Sequence, residues 1–328
     1  MDNVNNKTKS QLDSLFANVG TYRNSQDYRN LFNFIKRFPR IAPFNAMLLH
    51  IQNPKCTEVM TSSDWYDLKK RKIKANARPL VILVPFGPVD FVFDISDTYE
   101  DTPVDNFLNN IFIEAPENQP INSINQYNSE DNNQSFDEQV LDPFFVRGEL
   151  DTSLIDCVIN NLSSYGIAYK KQNFNIFLAG RIEELKACEQ KTLIKKYKNI
   201  QYKINLTHMI SLNRNKTHLT NFATLIHELG HFFCGHLGSV LEEKISDRSF
   251  LSKNEVEFEA ESISWLICER LKIINPSAEY LSGYLEMNDI IPDISLETVL
   301  KVTGIIEKMI NSHITPLKEV VLEKKNLN

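Results

Sequence analysis

The sequence predicts an α+β protein of two domains. Three observations carry that reading: helical and strand-like patterns alternate along the chain, the charge changes sign along it, and TLIHELGHFFCGH (residues 224–236) gathers three of the seven histidines. At about 100 to 200 residues per domain, 328 residues with 42% apolar side chains suffice for two cores.

The charge profile divides the chain. Residues 1–90 carry 14 Lys/Arg against 7 Asp/Glu, a net +7, whereas residues 91–150 carry 1 against 13, a net -12. The remainder is nearly neutral, at 21 against 22. This predicts a small basic α+β domain over 1–110, an acidic Asn/Gln-rich connector over 111–145, and a larger domain over 146–328. The connector is clearest at APENQPINSINQYNSEDNNQSFDEQ (residues 115–139), which has too few large apolar side chains to offset its ordering entropy and is expected to be a flexible, exposed loop.

Taken in order, residues 28–52 read as two short amphipathic helices broken around Pro39 and Pro43. Next, ARPLVILVPF and VDFVFDIS read as two strands joined by a Gly-Pro turn. Beyond the connector, SLIDCVINNLSSYG is helical, FNIFLAG and QYKINLTHMISLN are strand-like, and three helical stretches follow. No internal repeat is visible. The polar start and the shortness of the longest apolar run (residues 79–86) point to a cytoplasmic location with no membrane partner. Five cysteines without a CxxC pair argue for reduced, mostly buried thiols rather than a disulfide framework.

Leu225, Leu229 and Phe232 have helical spacing, so HELGH lies on a helix. A step of four residues brings His227 and His231 onto one face, with Glu228 beside them. Two imidazoles so placed can hold one zinc ion, and a neighbouring carboxylate can take a proton from water as it attacks a carbonyl. Amide hydrolysis is the chemistry that suits this helix. The three-histidine pattern HExxHxxGxxH does not fit, because Gly235 and His236 fall four and five residues after His231, so His236 reads as a supporting residue. A third ligand is expected from NEVEFEAESISWLICERL (residues 254–271), a helix whose small Ala260 and Ser264 allow close packing on the HELGH helix; Glu257, Glu259 and Glu261 compete for the role. Tyr280, Tyr284 and His313 qualify only by residue type to stabilise an oxyanion.

HELGHFFCGHLG followed by EFEAESISWLICERL resembles the ImmA/IrrE family of zinc-dependent metallopeptidases, over roughly residues 150–310. The resemblance implies a zincin-like, gluzincin-type domain with one Zn2+ per chain, cleaving a peptide bond of a protein target, a regulator for example, with Glu228 as the base. Matching the family's Glu-Ala pair to Glu259 and Ala260 makes Glu259 the third ligand, with Glu261 the alternative because it stands where the family often has Asn.

Residues 43–86, PFNAMLLHIQNPKCTEVMTSSDWYDLKKRKIKANARPLVILVPF, are similar to the N-terminal single-stranded-DNA-binding domain of ArdC-like antirestriction proteins, though without the glycine common in that family's basic turn. The residues make a physical case of their own: Lys69, Lys70, Arg71, Lys72, Lys74 and Arg78 form a cationic strip beside Trp65 and Tyr66, suited to phosphates and unstacked bases. The expectation is a zinc endopeptidase localised by single-stranded DNA. The alternative is a non-catalytic DNA-binding, antirestriction or regulatory protein with a structural metal site, and Glu228, which a structural site would not need, weighs against it.

Overall fold

The computed structural model describes residues 25–84, 87–101, 146–175, 178–197, 200–238 and 245–314. The acidic connector expected at 111–145 lies outside them. The chain divides into two compact units, the described residues up to Lys55 clustering with those after Asp142, and the segment from Cys56 forming the second.

The larger unit opens with helices α1 (Ser25–Ile35) and α2 (Pro43–Gln52), which the charge profile assigns to the basic domain. Packing draws them elsewhere. On α1, Tyr28 and Phe32 stack on each other, Phe32 stacks on Trp265 at 5.2 Å, and the Tyr28 hydroxyl donates to Ser262 Oγ at 2.7 Å. The chain between the two helices is held by Arg270, whose guanidinium donates to the carbonyls of Ile35, Phe38, Pro39 and Ile41. The domain boundary therefore falls near Lys55 rather than at 110, because aromatic burial decides the partner of these helices and net charge does not.

The second unit contains β1 (Val59–Met60), α3 (Ser62–Lys69), β2 (Arg71–Ile73), β3 (Leu80–Val84), β4 (Gly87–Asp94) and β5 (Thr98–Glu100). It holds an antiparallel sheet of order β1-β4-β3 and a β2-β5 ribbon. Asp94 ends the central strand, and its carboxylate accepts from the backbone of Thr57 at 2.7 Å and from Ser96 N and Oγ at 3.0 and 2.6 Å.

The larger unit resumes with α4 (Thr152–Leu162), β6 (Ile167–Gln172), β7 (Gly180–Glu184), β8 (Lys191–Tyr197), β9 (Ile200–Leu206) and β10 (His208–Asn213). A three-stranded sheet has the order β6-β10-β7, with β6 parallel and β7 antiparallel to β10, while β8 and β9 form a separate ribbon. Of FNIFLAG, expected as a strand, Gly180 is the one described residue that belongs to β7. The side-chain amide of Asn213 takes the carbonyls of Asn175 and Leu178 at 3.1 and 2.8 Å, where a strand would have offered them to a neighbour. QYKINLTHMISLN divides into β9 and β10 at Thr207, whose N–H turns to the Gly166 carbonyl.

Among the described residues four helices follow instead of three: α5 (His218–Phe233), α6 (Lys253–Arg270), α7 (Pro276–Met287) and α8 (Leu296–Asn311). The break between α6 and α7 comes from Lys272, at φ 61°, and from Pro276 at the start of the next helix. Helices α5 and α6 pack closely, as their small residues suggest. A Cβ on Gly230 would lie 3.2 Å from Ala260 Cα, and Ser264 Oγ donates to the Ala223 carbonyl. Cys56, Cys234 and Cys268 are buried and all five cysteines are free, in line with reduced thiols. No helix among the described residues is long and apolar enough to cross a membrane.

Burial acts to raise the Asp94 pKa, but the donors of Ser96, Thr57 and Glu58 outweigh it and hold the carboxyl below its usual value. A depressed folded pKa contributes stability above the unfolded value and loses it as the pH falls through the folded one. We therefore expect the second unit of the wild type to weaken as the medium is acidified through the carboxylate range, and Asp94→Asn to flatten that part of the profile. In a Trp265→Phe background the buried Trp65 reports this unit's unfolding by fluorescence, and an identical acid limb in the Asn variant would refute the assignment.

Candidate metal centre

Helix α5 is started by Thr217, whose hydroxyl accepts from Thr220 N at 3.1 Å, and its buried face carries Phe222, Leu225, Ile226, Leu229 and Phe232. That phase leaves His227 and His231 on the side towards α6, with Nε2 of each ring 3.0 Å from the other. Glu257 completes the cluster, its Oε2 lying 3.5 Å from His227 Nε2 and 3.7 Å from His231 Nε2. One donor atom from each of the three residues lies within 4.8 Å of the others. Two imidazoles and a carboxylate form the donor set that zinc favours, and two ring nitrogens facing each other at this distance need a proton or a cation between them. The residues present fit a zinc ion.

Glu259 and Glu261, the ligands expected from the sequence, lie outside this cluster of donor atoms. Glu259 is fully enclosed, among His236 just after α5, Arg248 and the start of α8. Its Oε2 accepts from His236 Nε2 at 2.8 Å and Arg248 Nη1 at 2.7 Å, and its Oε1 from Arg248 Nη2 at 2.5 Å and Ser295 N at 2.7 Å. Glu261 Oε1 lies 3.4 Å from His227 Nδ1, behind the ring, and its buried Oε2 has no hydrogen-bond partner. Helix phase explains the position of Glu259, whereas Glu261, four residues from Glu257, shares its face and differs in meeting Nδ1 rather than Nε2 of His227. Glu257 precedes Ala260 by three residues and Ser264 by seven, on the stripe that faces α5, whereas Glu259 is two residues from Glu257 and so about 200° around the axis. That periodicity was visible in the sequence; the Glu-Ala pair pointed to a different carboxylate.

His236, which its spacing suggests is a supporting residue, stands against the back of the His231 ring. Gly235 ends the helix at φ 77°, where a Cβ would strike the Ser246 carbonyl at 2.0 Å, and this turn folds His236 back until its Nδ1 is 3.0 Å from His231 Nδ1. Cys234, His236 and Glu259 also cluster within 4.8 Å, but both Glu259 oxygens and both His236 nitrogens already have protein partners.

Glu228 sits beside β7, and its Oε2 accepts from Ile182 N at 2.9 Å. Burial raises its pKa, opposed by the His227 charge and the Ile182 hydrogen bond. Gly180 allows this approach, because a Cβ there would meet Thr224 and Leu212 at 2.8 Å each. Of the three residues considered for an oxyanion, Tyr284 packs edge-on against Phe258, His313 is exposed just beyond α8, and the Tyr280 side chain is outside the described residues.

The cationic strip of the second unit is only partly free. Trp65, expected to stack on bases, is fully buried with its Nε1 donating to the Phe93 carbonyl at 2.8 Å, so its ring is closed to a ligand. Lys69 pairs with Glu58, Arg71 with Glu100 and Lys72 with Asp101, while Lys74 donates to the Ser96 carbonyl. Lys70 and Arg78 are exposed. The exposed rings are Tyr66, with Lys70 Nζ 5.5 Å from its centroid, and Tyr99, which stands opposite Lys72 in the β2-β5 ribbon.

Residues 185–286 match the sequence model of the Peptidase_M78 family, described as the IrrE N-terminal-like domain. The match spans α5 and α6 and thus the whole His227–His231–Glu257 cluster. No curated protein and no solved structure matches the chain.

For Glu257→Ala we expect zinc retention to fall with little change in thermal stability, since the side chain is more than a third exposed. For Glu259→Ala, which leaves Arg248 without its partner in the interior, we expect a loss of about 3–5 kcal/mol in stability. Full zinc occupancy in purified Glu257→Ala would eliminate that residue as a ligand.

Proposed function

We propose that the protein is a zinc-dependent endopeptidase in which His227, His231 and Glu257 hold one Zn2+ and Glu228 is the general base. The observation that carries this reading is the convergence of those two imidazoles and one carboxylate beside a second, buried carboxylate, within the segment that matches a peptidase family. Zinc, when bound, would polarise a substrate carbonyl and make water more acidic.

The chain's own residues do the rest. The Ile182 N–H fixes Oε2 of Glu228 and leaves Oε1 to accept a proton from water. Burial makes that carboxylate a stronger base than an exposed one, closer to the pKa at which proton transfer near neutral pH is most effective. β7 lies at the edge of its sheet next to Glu228, so an extended peptide running along it would bring a backbone carbonyl to the base.

Glu228→Gln preserves side-chain size and removes the base. We expect bound zinc to be retained and hydrolysis to fall by about two to four orders of magnitude. The substrate is sought by comparing proteome-wide cleavage products of wild type and Glu228→Gln, and wild-type cleavage by the variant would refute the role given to Glu228.

The same reading includes single-stranded DNA as a localising partner of the second unit, supported by exposed Tyr66 and Tyr99 beside Lys70 and Lys72. Stacking on the two rings and pairing of phosphates with Lys70 and Arg78 would be the binding terms. The double variant Tyr66→Ala/Tyr99→Ala is then expected to weaken binding without changing its salt dependence. Lys70→Ala/Arg78→Ala should flatten that dependence by about 0.7 per lost phosphate contact on a log-log scale. Absence of binding by the folded full chain at low salt would remove DNA from the account.

A further inference from the structure

We infer that His236 and Glu259 are positioning residues for the metal centre, acting through a one-way chain of hydrogen bonds that sets the tautomer of His231. The inference deepens the reading of His227, His231 and Glu257 as metal ligands and rests on it.

The direction of the chain follows from counting donors. Glu259 is buried and already accepts from Arg248 twice and from Ser295 N, surroundings that suit a carboxylate with no proton to donate. The 2.8 Å contact with His236 Nε2 must therefore be donated by the imidazole. When His236 carries one proton, that N–H is taken by Glu259 and its Nδ1 is left as an acceptor. Its 3.0 Å partner, Nδ1 of His231, must then be the donor, and Nε2 of His231 carries the lone pair. That lone pair faces His227 Nε2 and Glu257, where the metal would sit. If the chain were broken at His236, no other hydrogen-bond partner among the described residues would hold the proton of His231 on Nδ1, and a molecule carrying it on Nε2 would have no lone pair there for the metal.

The fold secures this arrangement at several points. Gly235 provides the turn that no residue with a Cβ could make against Ser246. Arg248 donates from Nη1 to the Cys234 carbonyl and from its backbone N–H to the Gly235 carbonyl, holding the turn against Glu259. His227 has a looser counterpart, with Glu261 Oε1 at 3.4 Å from its Nδ1. Such outer partners typically change metal affinity by about 10- to 100-fold when removed.

The test uses the full chain with 15N-labelled histidine. In metal-free wild type at neutral pH, long-range 1H–15N correlation should show His231 as the Nδ1–H tautomer and His236 as the Nε2–H tautomer; the reverse pattern overturns the inference. In His236→Leu, His231 should become a mixture of tautomers, and zinc affinity, measured by competition with a chromophoric chelator, should fall about 10- to 100-fold. His236→Asn, whose amide oxygen can replace the Nδ1 acceptor, should recover the tautomer and most of the affinity. A purely structural role would not give this rescue. Ser262→Ala, which removes a buried hydrogen bond on the same helix, is the stability control and should leave zinc affinity unchanged. Wild-type tautomer and affinity in His236→Leu would overturn the relay. Failure of the wild type to bind zinc would instead overturn the metal-site reading, and if His236→Leu does not fold, the wild-type spectrum and the Asn variant still decide.

Discussion

The buried carboxylate of Glu259 is the constraint on which the rest of the site depends. A carboxylate removed from water and left unpaired is strongly destabilising, so its donors must be in place whenever the domain is folded. Those donors come from separate parts of the chain: His236 just after α5, Arg248 from the loop before α6, and the backbone N–H of Ser295 where α8 begins. Satisfying one charge therefore fixes the end of one helix, the start of another and the rotation of α6 between them. That rotation turns Glu257 towards the two histidines. The same interaction supports stability and the geometry of the metal centre, which is why its loss is expected to affect both.

Much of the site was legible in the sequence because it depends on local geometry. His227, Glu228 and His231 are set by one helical turn, and the small residues of α6 foretold its close approach to α5. The choice of carboxylate is harder to read, because three glutamates at alternate positions look equivalent in the sequence, whereas in the fold Glu257 is the one near Nε2 of both histidines. The phase of Ala260 and Ser264 sets Glu259 apart, but Glu261 shares the face of Glu257, and only the tertiary fold brings one to Nε2 and the other to Nδ1 of His227. Arg248 and Ser295 could not have been found by spacing, since they meet Glu259 only through the tertiary fold. Trp65 failed for a related reason: neighbouring lysines suggested an exposed ring, whereas a large aromatic next to a sheet more readily fills its core.

The fold was readable in its elements and less so in its boundaries. Helices around Pro39 and Pro43 and the strand pair before the connector stand close to where periodicity put them. The domain boundary was drawn from charge, which reports how a segment is solvated. Ownership of α1 and α2 is decided by what Tyr28, Phe32 and the carbonyls held by Arg270 can bury against. Strand limits shifted where one side chain, Asn213, captured carbonyls that a sheet would otherwise have used.

The central claim is that the rotation of α6 gives the metal Glu257, while Glu259 is kept for the protein interior. Zinc K-edge X-ray absorption of the zinc-loaded full chain tests this most directly. Two imidazoles and oxygen ligands at about 2.0–2.2 Å, with no sulfur, are expected. A sulfur scatterer at about 2.3 Å would place the ion on Cys234, His236 and Glu259 and contradict the account.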